Sequence, residues 1–334
     1  PLEQFSMATD RYQLTGDTPP NGWLVDLWRT RKRCGYQYNF GSHSHVCCSL
    51  TDRVSDLPTP VRAIFLAGWG QVTAILQITD THIVPDGNLV SGRLETSDAL
   101  ARLVERITSI GHQIGPIDAV LVSGDVSDDG SAESYARFKS LMAPLHLPIH
   151  VIPGNHDSRE TMRAAFADQL PVSGPLNWSR KVGNVQLIGL DTLVEGHGYG
   201  TLAPETLVFL KDALSNADGS PVLLALHHPP FQSGIDFMDD IGLTNQSDLR
   251  DAIANHSGEL RLVCGHIHCM VVTNIAGHIA MSAPSPCSTF ASDFRGDAPA
   301  GYHTLEDGCM LHRHDDSFRS VRIGPTAGAG PYPF

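Results

Sequence analysis

Five short blocks of the sequence combine carboxylate, amide and imidazole side chains. They are Asp80-Thr-His82, Gly124-Asp125, Gly154-Asn155-His156-Asp157, His227-His228 and Gly265-His266-Ile-His268. Oxygen and imidazole nitrogen donors without thiolate suit divalent cations of intermediate hardness: manganese, iron, cobalt, zinc or nickel. In an extended segment, the i, i+2 spacing of Asp80/His82 and of His266/His268 turns both side chains to one face. Glycine before Asp125, Asn155 and His266 permits tight turns where backbone approaches the site. Each block alone has a plain alternative. Asp125 could cap a loop, a strand-end histidine could be packed or solvated, and His228 beside Pro229 could pack or support a ligand. Five such blocks in one order between residues 80 and 268 point instead to one metal centre.

The elements that must carry these blocks can be read from periodicity. Ala74–Thr79, Ala119–Val122 and Ile149–Ile152 are apolar runs of strand length, and each ends in a block. Between them, Thr96–Ile110 has helical spacing in Leu100, Leu103, Val104 and Ile107, and Ala132–Leu141 reads as a second helix. The second half repeats this order. Val185–Leu190, Val222–Leu226 and Leu260–Val263 are strands, and Pro204–Leu214 is a helix with proline at its start. Met270–Ile275 and His278–Ser282 flank Ala-Gly as a hairpin, and short strands are expected over 302–323. Alternating strands and helices predict an α/β protein. Ligands of such sheets bind beyond the carboxyl ends of the strands, where loops distant in sequence converge.

Composition limits the partners. The 334 residues suit one large domain or two small ones, and 41% of them are hydrophobic, enough for a sizeable core. The net charge of −13 gives no overall attraction to duplex nucleic acid, and no basic stripe stands out. No apolar run reaches the roughly 18 residues of a membrane helix, and the N-terminus lacks a secretory layout. Seven scattered cysteines, with no CxxC, argue against a disulfide framework and for a reducing cytoplasm. Residues 1–71 show no sustained periodicity and are expected to be an extension to a catalytic domain at 72–325. Within them, His43, His45, Cys47 and Cys48 form a loose metal-site pattern. Val72, where the regular pattern begins, is an alternative start; mass-spectrometric peptides from 1–71 in native protein would contradict it.

Together the blocks DTH, GD, GNHD, HH and GHIH resemble those of the calcineurin-like metallophosphoesterase superfamily over roughly residues 74–290. "LQITDTHI", "VLVSGDVSD", "IPGNHD" and "LHHPP" are similar to bacterial class III cyclic-nucleotide phosphodiesterases and related glycerophosphodiesterases. The resemblance implies a four-layer α/β/β/α sandwich and two divalent ions, of manganese, iron, cobalt or zinc. Asp80, His82, Asp125 and His268 would hold one ion. Asp125, Asn155, His227 and His266 would hold the other, with Asp125 shared. His156 would face the scissile phosphate, Asp157 would orient it, and a hydroxide bridging the ions would attack. The implied substrate is a small phosphodiester, bound through Asn155, His156 and Ser288. The wording Met281-Ser-Ala-Pro-Ser285-Pro-Cys287-Ser288 resembles cyclic-nucleotide members. The glycerophosphodiesterases tend to place a histidine near Ser288, and this chain has none there. Asn88 and His197 are expected to reach the pocket from loops, and Cys287 to be a small buried thiol. Other readings are a glycerophosphodiester or phosphonate ester hydrolase, and a non-catalytic scaffold, against which the intact set of blocks counts. A homo-oligomer assembled through residues 290–325 is also implied.

Overall fold

A computed structural model describes residues 72–304 and 308–324. The extension, its His43/His45/Cys47/Cys48 pattern and the alternative start that would exclude it therefore lie outside the described residues. So does the Gly/Pro-rich end.

The first sheet is built from β1 (Thr73–Ile78), β2 (Ala119–Ser123), β3 (Ile149–Ile152), β12 (Cys309–His314) and β13 (Phe318–Ile323), in the order β13-β12-β1-β2-β3. β1, β2 and β3 run parallel, while β12 is antiparallel to β1. Every residue of β1 and β2 is buried, as expected of parallel strands covered on both faces. The second sheet has the order β4-β5-β6-β7-β9-β8. It comprises β4 (Trp178–Val182), β5 (Val185–Gly189), β6 (Val222–Ala225), β7 (Leu260–Cys264), β8 (Val272–Ile275) and β9 (His278–Ser282).

One apolar core joins the sheets: Ala74, Leu76 and Ile78 cluster with Val185, Leu187, Leu223 and Val263. The same cluster continues to α1 (Thr96–Ile114), α2 (Ala132–Met142) and α3 (Arg159–Ala165) through Leu100, Phe138 and Met162. A second core packs Leu224, Leu226 and Leu262 beneath α4 (Pro204–Ser215) and α6 (Gln246–Ile253) through Leu210, Leu214 and Leu249. The layers are thus α/β/β/α. A short helix α5 (Asp236–Asp239) and a two-stranded pair, β10 (Thr289–Phe290) with β11 (Tyr302–His303), complete the described chain.

Most expected elements are present, with shifted ends. α1 continues to Ile114 and stops at Gly115, where φ is +77°. The hairpin begins at Val272 rather than Met270 and turns through Ala276-Gly277, both left-handed (φ +51° and +91°), a two-residue type I′ geometry. β4 was not anticipated, because Ser179, Arg180 and Lys181 mask its pattern; charge in this position suits an edge strand. α6 was also missed: only Leu249 and Ile253 of its eight residues are buried. β12 lies inside the first sheet, between β1 and β13. No described helix is long and apolar enough to cross a membrane. Cys264, Cys269, Cys287 and Cys309 are free thiols.

Candidate metal centre

The five blocks leave the carboxyl ends of β1, β2, β3, β6 and β7, three strands of one sheet and two of the other. The loops after β1 and β2 stay hydrogen-bonded: Asp80 N donates to Gly124 O (3.0 Å) and His82 N to Asp125 O (2.9 Å). The backbone is not extended there. Asp80, His82, Asp125, His266 and His268 all have positive φ, between +44° and +72°. The paired side chains therefore reach the site through left-handed turns, not through strand alternation as the i, i+2 spacing had suggested. Such torsions are uncommon for non-glycine residues and concentrate at sites where surrounding structure enforces them. Close approach also explains two glycines. Gly124 has φ +99°, and a Cβ on it would lie 2.2 Å from His227 Nδ1. A Cβ on Gly154 would lie 2.1 Å from Asp125 Oδ1.

The donor atoms converge on two adjoining points. Around the first, His82 Nε2 lies 3.1 Å from His268 Nε2 and 3.6 Å from Asp125 Oδ2, and His268 Nε2 lies 3.4 Å from Asp80 Oδ1. Around the second, Asn155 Oδ1 lies 3.1 Å from His227 Nε2 and 2.9 Å from His266 Nδ1. His227 Nε2 is 3.4 Å from Asp125 Oδ2. Two nitrogens bound at about 2.1 Å to one ion, at right angles, would be about 3.0 Å apart. The His82–His268 spacing matches that value. His82 Nδ1 is committed to Asp128, so its Nε2 is an acceptor, and the short gap to His268 Nε2 can be spanned by a proton on His268 or by a cation. The residues therefore fit divalent metal.

The outward nitrogens are held in a pattern typical of metal-ligating histidines. His82 Nδ1 donates to Asp128 Oδ1 (2.9 Å), His227 Nδ1 donates to Ser123 O (2.9 Å), and His268 Nδ1 meets Ser288 Oγ (2.9 Å). Among the described residues, the buried His266 Nε2 has no hydrogen-bond partner. His228 stands close to His227 and His266, in a group that could hold an ion, but both of its ring nitrogens are engaged elsewhere. Its Nδ1 accepts from Thr192 Oγ1 (2.8 Å), its Nε2 donates to Gly198 O (3.2 Å), and its ring stands edge-on to His227.

One expected contact differs from the hydrogen bonds observed. Asp157 does not touch the His156 ring. It accepts from the backbone N–H groups of Gly154, Val126 and Ser127 and from Tyr135 OH (2.8–3.2 Å), tying the turn after β3 to the loop after β2. The His156 ring is held instead by Asp128, whose carbonyl and carboxylate oxygens both lie 3.2 Å from Nδ1. Ser288, expected to meet substrate, lines the cleft although it is largely buried, and its hydroxyl also lies against His268. Asp128 was overlooked because "SDD" follows the Gly-Asp block as an ordinary polar loop.

Electrostatics calls for positive charge. Burial alone would raise the Asp80 and Asp125 carboxyls, but the surrounding imidazoles, His268 and His227 foremost, bring both below the ordinary range. Burial disfavours charge on His227, yet Asp125 and Asp80 raise it to about 9. His156 rises to about 10 in the same way, against burial, through Asp125 and Asp128. Burial, then the Asp125 charge, raise Asp157 to about 6. Burial and His227 push His228 down to about 3. The protons on His227 and His156 thus stand where cationic charge is favoured.

A cleft of about 260 Å³ opens over the donors. Asp125, Asp128, Asn155, His156, His266 and His268 line its floor, and the His156 side chain is 41% exposed to it. Its wall is apolar, with Phe237, Ile241, Phe290 and Tyr302 prominent. Phe290 lies 4.6 Å from the His268 ring and meets Phe237 edge-on at 5.4 Å. None of these wall residues stood out in the sequence. Asn88 and His197 do not line the cleft; both are exposed, and His197 lies against Tyr199. Cys287 is a buried thiol, raised by burial to about 11, as expected.

This sandwich and this donor set define a metal-dependent phosphoesterase. The family model described as calcineurin-like phosphoesterase matches residues 73–270, and the chain belongs to that family. The probable glycerophosphodiester phosphodiesterase GpdQ of Arcobacter nitrofigilis is 32% identical over 265 residues, 78% of this chain and 96% of that protein. The 3′,5′-cyclic adenosine monophosphate phosphodiesterase CpdA of Pseudomonas aeruginosa is 36% identical over 247 residues, 72% of this chain and 86% of that protein. A dimetal phosphatase from Danio rerio shares the fold with a TM-score of 0.51 at 15% identity, covering 75% of this chain and 99% of that one.

Proposed function

We propose that the chain hydrolyses 3′,5′-cyclic nucleotides such as cyclic AMP, with two divalent ions of manganese, iron, cobalt or zinc. Asp80, His82, Asp125 and His268 would hold one ion, and Asp125, Asn155, His227 and His266 the other. When bound, the two ions supply positive charge to the phosphoryl oxygens and lower the pKa of a bound water. The single observation that carries the substrate reading is the apolar, aromatic wall beside the donor cluster, which offers a nucleobase a face that glycerol cannot use. A negative diester would rest on the polar floor with its base along Phe237, Phe290 and Tyr302.

His156 serves the reacting phosphate in this proposal. Asp128 occupies Nδ1 and leaves Nε2 for a substrate oxygen. As the oxygen of a water that has lost one proton to solvent adds to phosphorus and the P–O bond to the ribose 3′ oxygen breaks, the Nε2 proton passes to that oxygen. The product is a 5′-monophosphate. Asp157, deeper in the protein, keeps Asn155 and His156 in register with Asp125 through its backbone hydrogen bonds.

The test is hydrolysis of a panel by metal-reconstituted protein: cyclic AMP, 2′,3′-cyclic AMP, a glycerophosphodiester and a chromogenic diester. The expected result is the highest kcat/KM for cyclic AMP. A glycerophosphodiester turned over faster than any cyclic nucleotide would replace this reading with that of the Arcobacter relative's name.

A further inference from the structure

Beneath the metal centre, the gap between the two sheets contains a ring of hydrogen bonds. Gln77 of β1 uses both Nε2 hydrogens, donating to Ser123 Oγ of β2 (2.8 Å) and to Cys264 O of β7 (3.0 Å). Its Oε1 must then accept, so His312 Nε2 on β12 donates to it (2.9 Å). His312 Nδ1 is left to accept from Ser320 Oγ of β13 (2.7 Å), its direct cross-strand neighbour. Ser320 Oγ in turn accepts from Arg261 Nη1 of β7 (2.8 Å). Arg261 and Cys264 lie on the same strand, so the ring closes through β7.

The donors of Gln77, His312 and Ser320 each have an assigned acceptor, which fixes the His312 tautomer, while Arg261 Nε is buried without a partner among the described residues. Gln77 and His312 are both fully buried. Burial and the Arg261 guanidinium push His312 down to about 3, so it stays neutral. Three members precede ligands closely: Gln77 leads to Asp80, Ser123 to Asp125 and Cys264 to His266. The Ser123 carbonyl also holds the His227 ring. Apolar side chains would fill this gap without desolvating polar groups, but would not fix direction or distance between the sheets.

We propose that Gln77 and His312 are positioning residues that set the separation of the two ligand-bearing sheets and thereby allow both ions to be held together. The inference rests on the two-ion reading above. Ions cannot be shared across Asp125 unless ligands from β1 and β2 stand at fixed distances from those on β6 and β7, and the ring is a polar tie across that gap.

The test compares His312→Phe, of similar volume but without a donor, His312→Gln, whose amide can still donate to Gln77, and Ser320→Ala. Manganese titration, the electron paramagnetic resonance signal of a coupled manganese pair, kcat and KM are read alongside thermal unfolding. In His312→Phe the second ion should bind about tenfold or more weakly, the coupled signal should fade, and kcat should fall with little change in KM. His312→Gln should recover most of each, and Ser320→Ala should show the same direction with smaller size. Wild-type ion affinity and coupled signal in His312→Phe would overturn the proposal, even with a lowered Tm. Should His312→Phe not fold, unchanged second-ion binding in Ser320→Ala would overturn it. If the wild-type protein itself binds fewer than two ions, the two-ion reading falls, and this proposal with it.

Discussion

Asp128 orients two imidazoles at once, His82 and His156, one in the donor cluster and one facing the cleft. Losing such a partner costs metal affinity or rate by about 10- to 100-fold. Asp128→Ala should therefore lower both manganese affinity and turnover, measured by titration and initial rates, whereas His156→Ala should lower turnover alone. His227 is raised from 6.5 to about 9 by Asp125 and Asp80, against burial. A raised histidine stabilises the fold fully below its unfolded value and loses that contribution as pH rises through its folded value. Metal-free protein should thus lose stability between about pH 6.5 and 9. With metal bound, His227 would carry no proton at Nε2 and its share of that loss should vanish, leaving the share of His156, which is raised to about 10; thermal unfolding with and without chelator reads the difference. At this scale the sequence singled out the residues that the structure brings together, because strand ends and glycines mark them. It did not show their supports. The parts played by Asp128, Asp157 and Ser288 depend on loops packed together in space, and nothing in their local spacing records that.

The strands carrying the blocks were readable because parallel strands buried on both faces leave continuous apolar runs, as in β1 and β2. β4 and α6 were not, since an edge strand and a short surface helix bury too few residues to leave a period. The β8–β9 turn offers a direct check of backbone reasoning. Ala276 holds φ +51° without the freedom of glycine, at a cost of about 1 kcal/mol. Ala276→Gly should stabilise the protein by up to that amount in denaturant unfolding. α5 brings Phe237 to the cleft wall. If a nucleobase lies against it, Phe237→Ala should raise the KM for cyclic AMP by roughly tenfold, in line with a stacking contribution of about 1–3 kcal/mol. The rate with a small chromogenic diester should change little. Equal losses on both substrates would mean that the side chain supports the fold rather than the base.

For the whole molecule, the two sheets make the site by being different. The first sheet supplies Asp80, His82, Asp125 and Asn155, and the second supplies His227, His266 and His268. Neither half has a full donor set, so sheet packing and metal binding are linked, and ions that bind only the folded chain must stabilise it. On a protein of net charge −13, the cation-seeking floor would attract a small anionic diester only once cations are held there. The α/β order was legible from alternating strands and helices, while the division into two sheets came only through resemblance. Strand order is a matter of long-range pairing: β12, late in the chain, lies beside β1. The most direct test of the account is Asp125→Ala, because Asp125 is the one residue common to both proposed sets. Metal content and hydrolysis of cyclic AMP should be measured together in this variant and in the wild type, after identical reconstitution. Two ions and turnover are expected in the wild type, with loss of ion pairing and of activity in the variant. Full metal content with an undiminished rate in Asp125→Ala would contradict it.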